Sequence, residues 1–494
     1  MAEFDLAIIG GGINGVGIAR DAAGRGLRVL LVEQNDLASG TSSASTKLIH
    51  GGLRYLEHGA LRLVREALAE REVLLRMAPH LIRPMRFVVP PNPNLYAASR
   101  LRLGLFLYDR LGGRKILPAT RTLDLTHHIV GAPLKRRYRF GFEYSDCWVD
   151  DARLVVLNAV DAAERGAVIR TRTRCVRAER EESWRLILKA KGQREVVSAR
   201  ALVNAAGPWV ADVAETVLRA PAPGRVRLDK GSHIVVPRLF EHDRGYLLPT
   251  ADRRVVFALP FERDFTMIGT TDAEFAGDPG SAVPTLGEID YLCDSVSEYF
   301  RERVGSEDVV WAFAGVRALY DDGTGNVKDT TRDYQLDLQE HFHEAPLLTV
   351  YGGKITTYRR LAEAALGRLR HFFKLSAEWT SGSTLPGGDF VYDGADALVT
   401  QARQSWPFLA ESNLRRLIGA YGTRLGRVLG SARDRNDLGP WFGDELSAAE
   451  VRYLVRHEWA RTAEDVLWRR SKLGLRLTQP QSNELVGFMA NIAG

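Results

Sequence analysis

The sequence predicts an α/β fold in which a discontinuous Rossmann-type domain is interleaved with an antiparallel-sheet domain and followed by an all-helical C-terminal domain. A glycine-rich turn joins a strand to a helix near the start of the chain, short β-branched runs fill residues 231–272, and helical periods without strand-like runs dominate from residue 395. At 494 residues the chain is also too long for one hydrophobic core.

The first domain opens with a βαβ unit over residues 4–34. Residues 6–9 form an apolar strand, Gly10-x-Gly12-x-x-Gly15 follows, and residues 16–23 are predicted to be helical. Residues 27–32 form the second strand, which ends at Glu33. This order of strand, glycine turn, helix and strand is typical of a Rossmann start.

Later segments return the chain to the same domain. Apolar residues recur at helical spacing over 61–77, and Pro79 ends that helix. Asp150 and Asp151 supply N-cap chemistry for a helix over 153–165, while 168–170 and 201–207 are strands. Residues 380–388 resemble a linker. We therefore assign 1–80, 145–229 and 310–380 to the cofactor-binding domain, 81–144 and 230–309 to a substrate (cap) domain, and 388–494 to the helical domain.

Composition sets limits on location and partners. The net charge is +6 with a pI near 9.2, which suits anionic substrates, acidic lipids or nucleic acid alike, and which solubility alone also explains. No apolar run reaches the roughly 18 residues of a membrane span, and residues 4–9 read as a strand rather than as a leader. Cys147, Cys175 and Cys293 lack metal or disulfide spacing. We expect a protein of the cytoplasm or of the inner face of a membrane, without a metal.

The glycine turn predicts a dinucleotide site. Gly10 permits the tight turn, Gly12 lets the backbone approach a pyrophosphate, and Gly15 lets the helix pack closely on the strand. The helix N-terminus offers free N–H groups to the phosphates. Glu33 stands where a ribose hydroxyl is held and would repel a 2′-phosphate, which disfavours NADP. The loop alone does not decide between FAD and NAD.

Two returning segments favour FAD. Residues 204–209 and 350–357 each carry small or glycine residues at a strand end, and N–H groups of the second segment can face a flavin ring. An ordinary strand-to-helix turn explains either segment equally well.

Several longer segments resemble one family. They are residues 41–55, 142–153, 230–237, 268–272, 314–317, 352–359, 454–459 and 465–470. Together they are similar to the FAD-dependent glycerol-3-phosphate dehydrogenases of the aerobic, respiratory type. The resemblance implies oxidation of sn-glycerol 3-phosphate to dihydroxyacetone phosphate with reduction of FAD. It further implies reoxidation by a membrane quinone, and a homodimer bound peripherally to the inner membrane surface. An oxidase branch that uses O2 shares these motifs but usually carries an insertion that we do not see here.

Pattern and resemblance together give the candidate cofactor residues. Hydroxyl groups after Glu33 suit the phosphates and ribitol, and the resemblance places Lys47 and Leu48 beside the isoalloxazine. The full set is Gly10, Gly12, Ile13, Asn14, Gly15, Glu33, Gln34, Thr41, Ser42, Ser45, Lys47, Leu48, His50, Gly51, Cys175, Val176, Ala206, Gly207, Trp209, Gly353, Lys354, Ile355 and Thr356. A solvated serine-rich loop is the alternative for residues 41–47.

A phosphorylated alcohol requires fixed cations and a proton acceptor. Arginine forks match phosphate oxygens bidentately. By the resemblance, Arg317 and Arg332 grip the phosphate with His233, whereas Arg54, Tyr55, Thr270 and Lys354 line the hydroxyl end. Without the resemblance, each cation reads as a solvated surface charge.

The catalytic set is His233, Lys354, Arg317 and Arg54. His233 and Lys354 are the leading candidates for the base, and His50 is a third, because imidazole titrates near neutral pH and a desolvated lysine has a lowered pKa. A hydrogen-bonded structural histidine is the alternative.

The tail and the rival functions complete the expectations. The C-terminal tail combines aromatic and basic residues that suit an anionic bilayer, at Trp459, Arg461 and 468–472. Packed tryptophans on a solvated helix explain the same pattern. One rival function is an amine or amino-acid oxidase of the same fold. The number of phosphate-suited cations argues against it, because an amino-acid carboxylate needs only one arginine. An RNA-modifying flavoprotein is disfavoured because no RNA-binding motif is present, so we expect no nucleic acid.

Overall fold

The computed structural model describes residues 2–91, 98–113, 115–219, 225–321 and 333–492, without the side chains of 54, 57, 58, 225 and 321. Within these residues the chain builds two large sheets and a C-terminal helical domain. Strands and helices are numbered in chain order.

The first sheet is mostly parallel at its centre. Its central order is β17-β18-β10-β1-β2-β7, with β9 antiparallel to the first half of β10 and β8 antiparallel to β9. Strands β18, β10, β1, β2 and β7 run parallel. The strands are β1 (Phe4–Ile9), β2 (Val29–Val32), β7 (Val168–Arg170), β8 (Arg174–Arg180), β9 (Trp184–Ala190), β10 (Gln193–Asn204), β17 (Gln335–Gln339) and β18 (Leu347–Tyr351).

The second sheet is antiparallel except where β12 meets β4. Its strands are β3 (Leu48–Ile49), β4 (Ile82–Val89), β5 (Arg121–Asp124), β6 (Phe140–Val149), β11 (Arg225–Pro237), β12 (Gly245–Pro249), β13 (Val255–Phe261), β14 (Phe265–Gly269), β15 (Ala273–Glu274) and β16 (Trp311–Asp321). The sequence placed 310–321 with the first domain. In the structure β16 instead pairs with β11 from Val235↔Trp311 to Arg225↔Asp321, because that long ladder satisfies its backbone groups.

Helices cover both sheets and form the C-terminal domain. They are α1 (Ile13–Gly24), α2 (Leu61–Met77), α3 (Ala98–Leu111), α4 (Asp151–Glu164), α5 (Val210–Asp212), α6 (Leu286–Tyr299), α7 (Tyr358–Leu369), α8 (Ala395–Ser405), α9 (Glu411–Tyr421), α10 (Leu425–Leu429), α11 (Ala448–His457) and α12 (Gln479–Ile492). Two short strands, β19 (Trp441–Phe442) and β20 (Leu446–Ser447), pair within the helical domain. None of the described helices is long and apolar enough to cross a bilayer.

Helices α1, α4 and α7 bury the apolar face of the first sheet. Helix α4 begins as the sequence predicts, because Asp150 accepts a hydrogen bond from the Arg153 N–H. On the second sheet, α6 packs on one face and α2 with α3 on the other. The cysteines Cys147, Cys175 and Cys293 are buried and free.

The C-terminal domain docks through buried charges. Arg470 is fully buried and pairs with Asp36 of the first domain at 2.8 Å, and Arg153 pairs with the buried Glu458. Lys472 is 4% exposed and donates to the Trp468 carbonyl. The sequence interpretation of the 468–472 basic run as a membrane surface is therefore corrected, because Arg470 is buried in the domain interface and Lys472 is buried within its own domain.

Candidate active site

The main cavity lies at the carboxyl ends of β1 and β10, under the second sheet. Its volume is about 1490 Å³, which exceeds the roughly 300–1,000 Å³ of a drug-sized site and suits an extended cofactor beside a substrate. The glycine turn lines one part of the cavity, and His233, Thr270 and Arg317 line another. The cavity therefore unites the predicted cofactor and substrate residues in one space.

The glycine turn is shaped by close backbone contacts. Gly10 has φ +116°, and a Cβ there would lie 2.4 Å from the Ala205 carbonyl oxygen. A Cβ at Gly15 would lie 2.0 Å from the Gly10 carbonyl oxygen, so only glycine lets α1 start this close to β1. Gly12 faces the cavity, where a Cβ would meet only Ser42 Oγ at 3.1 Å.

The start of α1 is prepared for an anion. Every residue of α1 is described, and its first turn carries no acidic side chain. The Ile13 N–H donates to Ser42 Oγ at 3.0 Å. This N–H group is therefore directed at an oxygen atom, as it would be toward a phosphate oxygen. Ile13 and Ser42 both line the cavity. A pyrophosphate fits this terminus because its oxygens accept from the N–H groups and meet the positive end of the helix dipole.

Glu33 braces the turn and faces the cavity. Its Oε2 accepts from the Gly11 N–H at 2.7 Å, and its Oε1 accepts from the Asn35 N–H at 2.8 Å. Burial raises the pKa of Glu33, against the lowering effect of these N–H groups. Each oxygen keeps a second lone pair, so the carboxylate can also accept from a ribose hydroxyl.

The turn after β18 meets the start of α1. Gly352 and Gly353 have φ +68° and +101°, and the Asn14 amide donates to the Gly352 carbonyl at 3.0 Å. Asn14 Oδ1 is buried and finds no hydrogen-bond partner within the described part of the chain. The turn also lines the cavity with Gly353, Lys354, Ile355 and Thr356. FAD bound in the cavity would meet the backbone of this turn and the unpartnered Asn14 acceptor.

His233 lies on β11 with its ring in the cavity wall. It is 2% exposed, its Nε2 lies 2.9 Å from Thr46 Oγ1, and its Nδ1 has no hydrogen-bond partner among the described residues. Burial, and then the charges of Lys47 and Arg317, lower the pKa of His233 to about 3. The imidazole is therefore neutral near pH 7 and carries one nitrogen that can accept a proton.

Arg317 on β16 lies directly opposite Asp229, and it lines the same cavity as His233. Its Nη1 lies 3.2 Å from Asp272 Oδ1 and 3.4 Å from Asp229 Oδ2. A Cβ at Gly231 would lie 2.6 Å from Arg317 Nη2, so the glycine leaves space for the guanidinium. The two carboxylates hold the fork at the cavity while about a third of the side chain stays accessible.

Lys354, Tyr55 and His50 form a second group. Lys354 Nζ lies 3.9 Å from the centre of the Tyr55 ring, a cation–π contact. Burial, followed by the charges of Lys354 and Arg71, lowers the pKa of His50 to about 4. All three residues line the cavity. A neutral imidazole and a cation thus face the same space.

The structure brings most of the candidate residues to the cavity, but not all of them. Gly15, Lys47, Gly51 and Val176 are not among the residues that line it. Lys47 is fully buried in an ion pair with Asp151 at 2.9 Å, so it supports the wall instead of facing a ligand. The Arg54 side chain and the whole of Arg332 lie outside the described residues.

Sequence reasoning missed several supporting residues. Thr46 contacts His233, and Asp272 holds Arg317; both lie inside the family-like segments, which was the available signal. Thr173 and Arg174 line the cofactor end without any local motif. Their position follows from the pairing of β7, the strand just before them, with the distant β2.

Two family models match the chain. Residues 5–359 match the model described as FAD dependent oxidoreductase, and residues 379–492 match the C-terminal domain of alpha-glycerophosphate oxidase. The expected resemblance and the α/β fold with its helical C-terminal domain are confirmed. FAD is likewise confirmed as the cofactor, because the family is defined by it and the glycine turn, the α1 terminus and the 352–356 turn fit it.

Characterised relatives extend along the whole chain. A glycerol-3-phosphate dehydrogenase of Pseudomonas aeruginosa is 53% identical, over 98% of this chain and 95% of its own. A D-erythritol 1-phosphate dehydrogenase of Brucella abortus is 50% identical, over 99% and 98%. The aerobic glycerol-3-phosphate dehydrogenase of Escherichia coli is 48% identical, over 98% and 97%.

Solved structures share the fold. The glycerol-3-phosphate dehydrogenase of Bacillus halodurans, solved with FAD, superposes with a TM-score of 0.76 at 24% identity, covering 100% of this chain and 95% of that one. The L-alpha-glycerophosphate oxidase of Mycoplasma pneumoniae gives 0.60 at 17% identity, covering 78% and 99%.

Proposed function

Because this chain belongs to the FAD-dependent oxidoreductase family and carries a C-terminal domain of the alpha-glycerophosphate oxidase type, we propose that it oxidises sn-glycerol 3-phosphate to dihydroxyacetone phosphate. One observation carries the proposal: Arg317, fixed by two carboxylates, shares a cavity with the buried neutral His233 and with the cofactor turn. Two relatives that match along almost the whole chain are named for glycerol 3-phosphate, which supports the proposal.

Arg317 binds the phosphate in this proposal. A guanidinium fork matches two phosphate oxygens, and each charge-assisted hydrogen bond contributes about 1.5–3 kcal/mol. Asp229 and Asp272 keep the fork oriented before substrate arrives, so little side-chain entropy is lost on binding. Arg332 is proposed as a second phosphate ligand on the resemblance alone.

His233 takes the proton of the secondary alcohol. When bound, FAD supplies the ring that accepts the hydride from the same carbon, so the C–OH group becomes a ketone. Burial keeps the imidazole neutral, and the arriving phosphate dianion favours its protonated form by Coulomb attraction. The 2.9 Å contact between Nε2 and Oγ1 of Thr46, a residue that also lines the cavity, fixes the imidazole ring at the cavity wall.

Lys354 and Tyr55 orient the hydroxyl end, with Thr270 and Arg54 completing that end by resemblance. The cation–π contact holds the Lys354 ammonium over the Tyr55 ring, where it can donate to the substrate oxygen. Lys354 is also the alternative proton acceptor.

Stopped-flow flavin reduction under anaerobic conditions tests this function. Glycerol 3-phosphate should bleach the bound flavin of the wild type, and His233→Ala should slow that step by about 10²–10⁴-fold if it removes a general base. Lys354→Ala is the parallel variant. If both variants keep wild-type reduction rates, neither residue is the base; a wild type that does not bleach contradicts the substrate.

D-Erythritol 1-phosphate is the second substrate to compare. The relative named for it is about as similar to this chain as those named for glycerol 3-phosphate. A larger kcat/KM for the four-carbon substrate would reassign the specificity within the same chemistry. Amino acids serve as the negative comparison, since they offer a carboxylate in place of a phosphate.

We further propose that electrons pass to a membrane quinone, and that the protein, as a homodimer, works in the cytoplasm or peripherally on the cytoplasmic face of the inner membrane. The exposed apolar side of α3 supports the membrane contact: Leu103, Phe106 and Leu107 are 59%, 51% and 40% exposed, and Leu103 and Leu107 also line the cavity. Nearby Arg100 and Arg102 suit anionic lipids. Mixing the reduced protein with O2 or with a quinone analogue separates oxidase from dehydrogenase.

A further inference from the structure

An unbroken stack of aromatic rings leads from the cavity into the C-terminal domain. The His233 ring lies 4.9 Å from the Phe313 ring at an interplanar angle of 9°. Phe313 lies 4.5 Å from Trp311, and Trp311 stacks at 4.5 Å on Trp468. The stack therefore joins a residue of the candidate active site to the 465–470 segment, which has no role in the proposed chemistry.

The second sheet fixes three members of this stack. His233 pairs directly with Phe313 across β11 and β16, and Trp311 precedes Phe313 by two residues, so both project from the same face of β16. On the other side, His233 pairs with Gly269 of β14. A Cβ at Gly269 would lie 2.1 Å from His233 Cδ2, so the imidazole fits into the space that this glycine leaves. Its ring plane is thus set by its two cross-strand neighbours.

The C-terminal domain fixes the fourth member. Arg469 and Arg470, which directly follow Trp468, bind Asp36 of the first domain at 2.7 and 2.8 Å. The Lys472 ammonium donates to the Trp468 carbonyl. A Cβ at Gly474 would lie 2.5 Å from the Trp468 indole, so only the absence of a side chain at this position leaves space for the ring. Trp468 is therefore held in place by contacts of its own segment, and it packs against Trp311 in a fixed position.

The orientation of His233 matters because a ring nitrogen can accept the substrate proton only when it is correctly placed. One nitrogen contacts Thr46, and the other has no hydrogen-bond partner within the described residues. A rotation or shift of the ring would move the proton-accepting nitrogen away from the substrate. Misplacement of a reacting group by about 1 Å can cost about 10²-fold in rate.

We propose that Trp468 is a positioning residue, through which the C-terminal domain holds the His233 imidazole by way of Trp311 and Phe313. The inference rests on the proposed function insofar as His233 receives the substrate proton. It gives the C-terminal domain an indirect part, through ring packing, in the chemistry of the first two domains.

Trp468→Ala and Trp468→Phe test this inference in the full-length holoenzyme. The alanine variant should slow anaerobic flavin reduction by glycerol 3-phosphate about 10–100-fold, with the substrate dissociation constant changed less than about threefold. The phenylalanine variant keeps a ring against Trp311 and should recover most of the rate. Trp441→Ala is the matched control, since Trp441 lies in the same domain and contacts Arg435 instead of the stack.

A double variant distinguishes positioning from general damage. If Trp468 acts through His233, adding Trp468→Ala to His233→Ala should slow reduction less than about twofold further. Independent, multiplying losses would overturn the proposal, and so would a Trp468→Ala rate equal to that of Trp441→Ala. Flavin content and thermal midpoint show whether each variant is folded.

A crystal structure of Trp468→Ala gives a readout independent of activity. We expect the Phe313 and His233 rings to shift and the Thr46 contact to lengthen beyond hydrogen-bond distance. An unmoved His233 ring would overturn the proposal whatever the substrate is. A wild type inert toward glycerol 3-phosphate, with a ring that does shift in the variant, would contradict only the proposed function.

Discussion

The hydroxyl of Tyr108 donates to Oδ2 of Asp146 across 2.8 Å and accepts from the Gly51 N–H at 2.7 Å. Tyr108 belongs to α3, and Gly51 directly follows His50, which lines the cavity. The Arg71 guanidinium binds the same carboxylate at 2.6 Å. This buried network ties the helix with the exposed apolar face to the turn that carries His50.

Replacing Tyr108 with phenylalanine tests the network. The variant leaves the Gly51 N–H and the buried Asp146 carboxylate each short of a partner, so the free energy of unfolding should fall by about 1–3 kcal/mol. Urea unfolding measures the change. Tyr144→Phe is the control, because the Tyr144 ring packs against Tyr108 but its hydroxyl makes no hydrogen bond to the described residues. Equal losses in both variants would contradict the account.

Local chemistry explains what the sequence could predict. The glycine turn and the Asp150 cap depend on residues within a few positions of one another, so their pattern is visible in the chain itself. The role of Arg470 was invisible because its partner, Asp36, lies 434 residues away. A basic-aromatic run reads alike on a membrane surface and in a domain interface; only the distant carboxylate decides.

The same limit applies to the candidate site. Arg317 and His233 were found through the family-like segments, whereas the placement of Phe313 against His233 follows from the register of β11 and β16. Neither composition nor periodicity gives strand register between segments about 80 residues apart. The sequence therefore indicates which residues matter more readily than what holds them.

Arg317→Ala should weaken substrate binding. Losing even one charge-assisted hydrogen bond of about 1.5–3 kcal/mol raises KM about 10–150-fold, and Arg317→Lys should recover only part of the lost affinity because an ammonium lacks the fork. Steady-state kinetics with glycerol 3-phosphate checks both variants. Arg415→Ala is the control, since that arginine binds Asp396 and Glu411 on the surface of the C-terminal domain. An unchanged KM for Arg317→Ala would remove this residue from the phosphate site.

Gly15→Ala should abolish FAD binding. The new methyl group would lie 2.0 Å from the Gly10 carbonyl oxygen, so α1 must move away from the pyrophosphate position. We expect a purified protein without flavin absorbance. Gly419→Ala on α9 meets no heavy atom within 4 Å and should keep its flavin, with stability unchanged or raised by about 0.5–1 kcal/mol. A yellow Gly15→Ala protein would argue against the assigned site.

Buried histidines should make folding acid-sensitive. Burial lowers the pKa of His80 and His233 to about 3 and of His50 and His242 to about 4. The unfolded chain takes up these protons below pH about 6.5 and the folded chain does not, so stability is retained above pH 6.5 and falls as the pH drops toward 4. At pH 5.5 each of these histidines lowers the free energy of unfolding by about 1.4 kcal/mol relative to neutral pH.

His80→Gln isolates one of these groups away from the cavity. Its loss of unfolding free energy between pH 7.5 and pH 5.5 should be smaller than that of the wild type by about 1.4 kcal/mol. Urea midpoints at the two pH values give the comparison, and the exposed His341→Gln serves as control. A His80→Gln protein with the pH sensitivity of the wild type would show that His80 is protonated in the folded state.

The apolar side of α3 gives the membrane proposal its own test. Replacing Leu103, Phe106 and Leu107 together with serine removes exposed side chains whose burial in a bilayer contributes about 1.5–3 kcal/mol each. Flotation with phosphatidylglycerol vesicles at low salt should therefore fall at least tenfold, while urea stability changes little because these side chains are already in water. The control replaces Val283, Leu286 and Phe342, which are even more exposed (68%, 78% and 91%) but do not lie on a basic helix. If both triple variants float like the wild type, α3 is not the membrane contact. The attachment would then have to lie elsewhere, and not at 468–472, because Arg470 and Lys472 are buried.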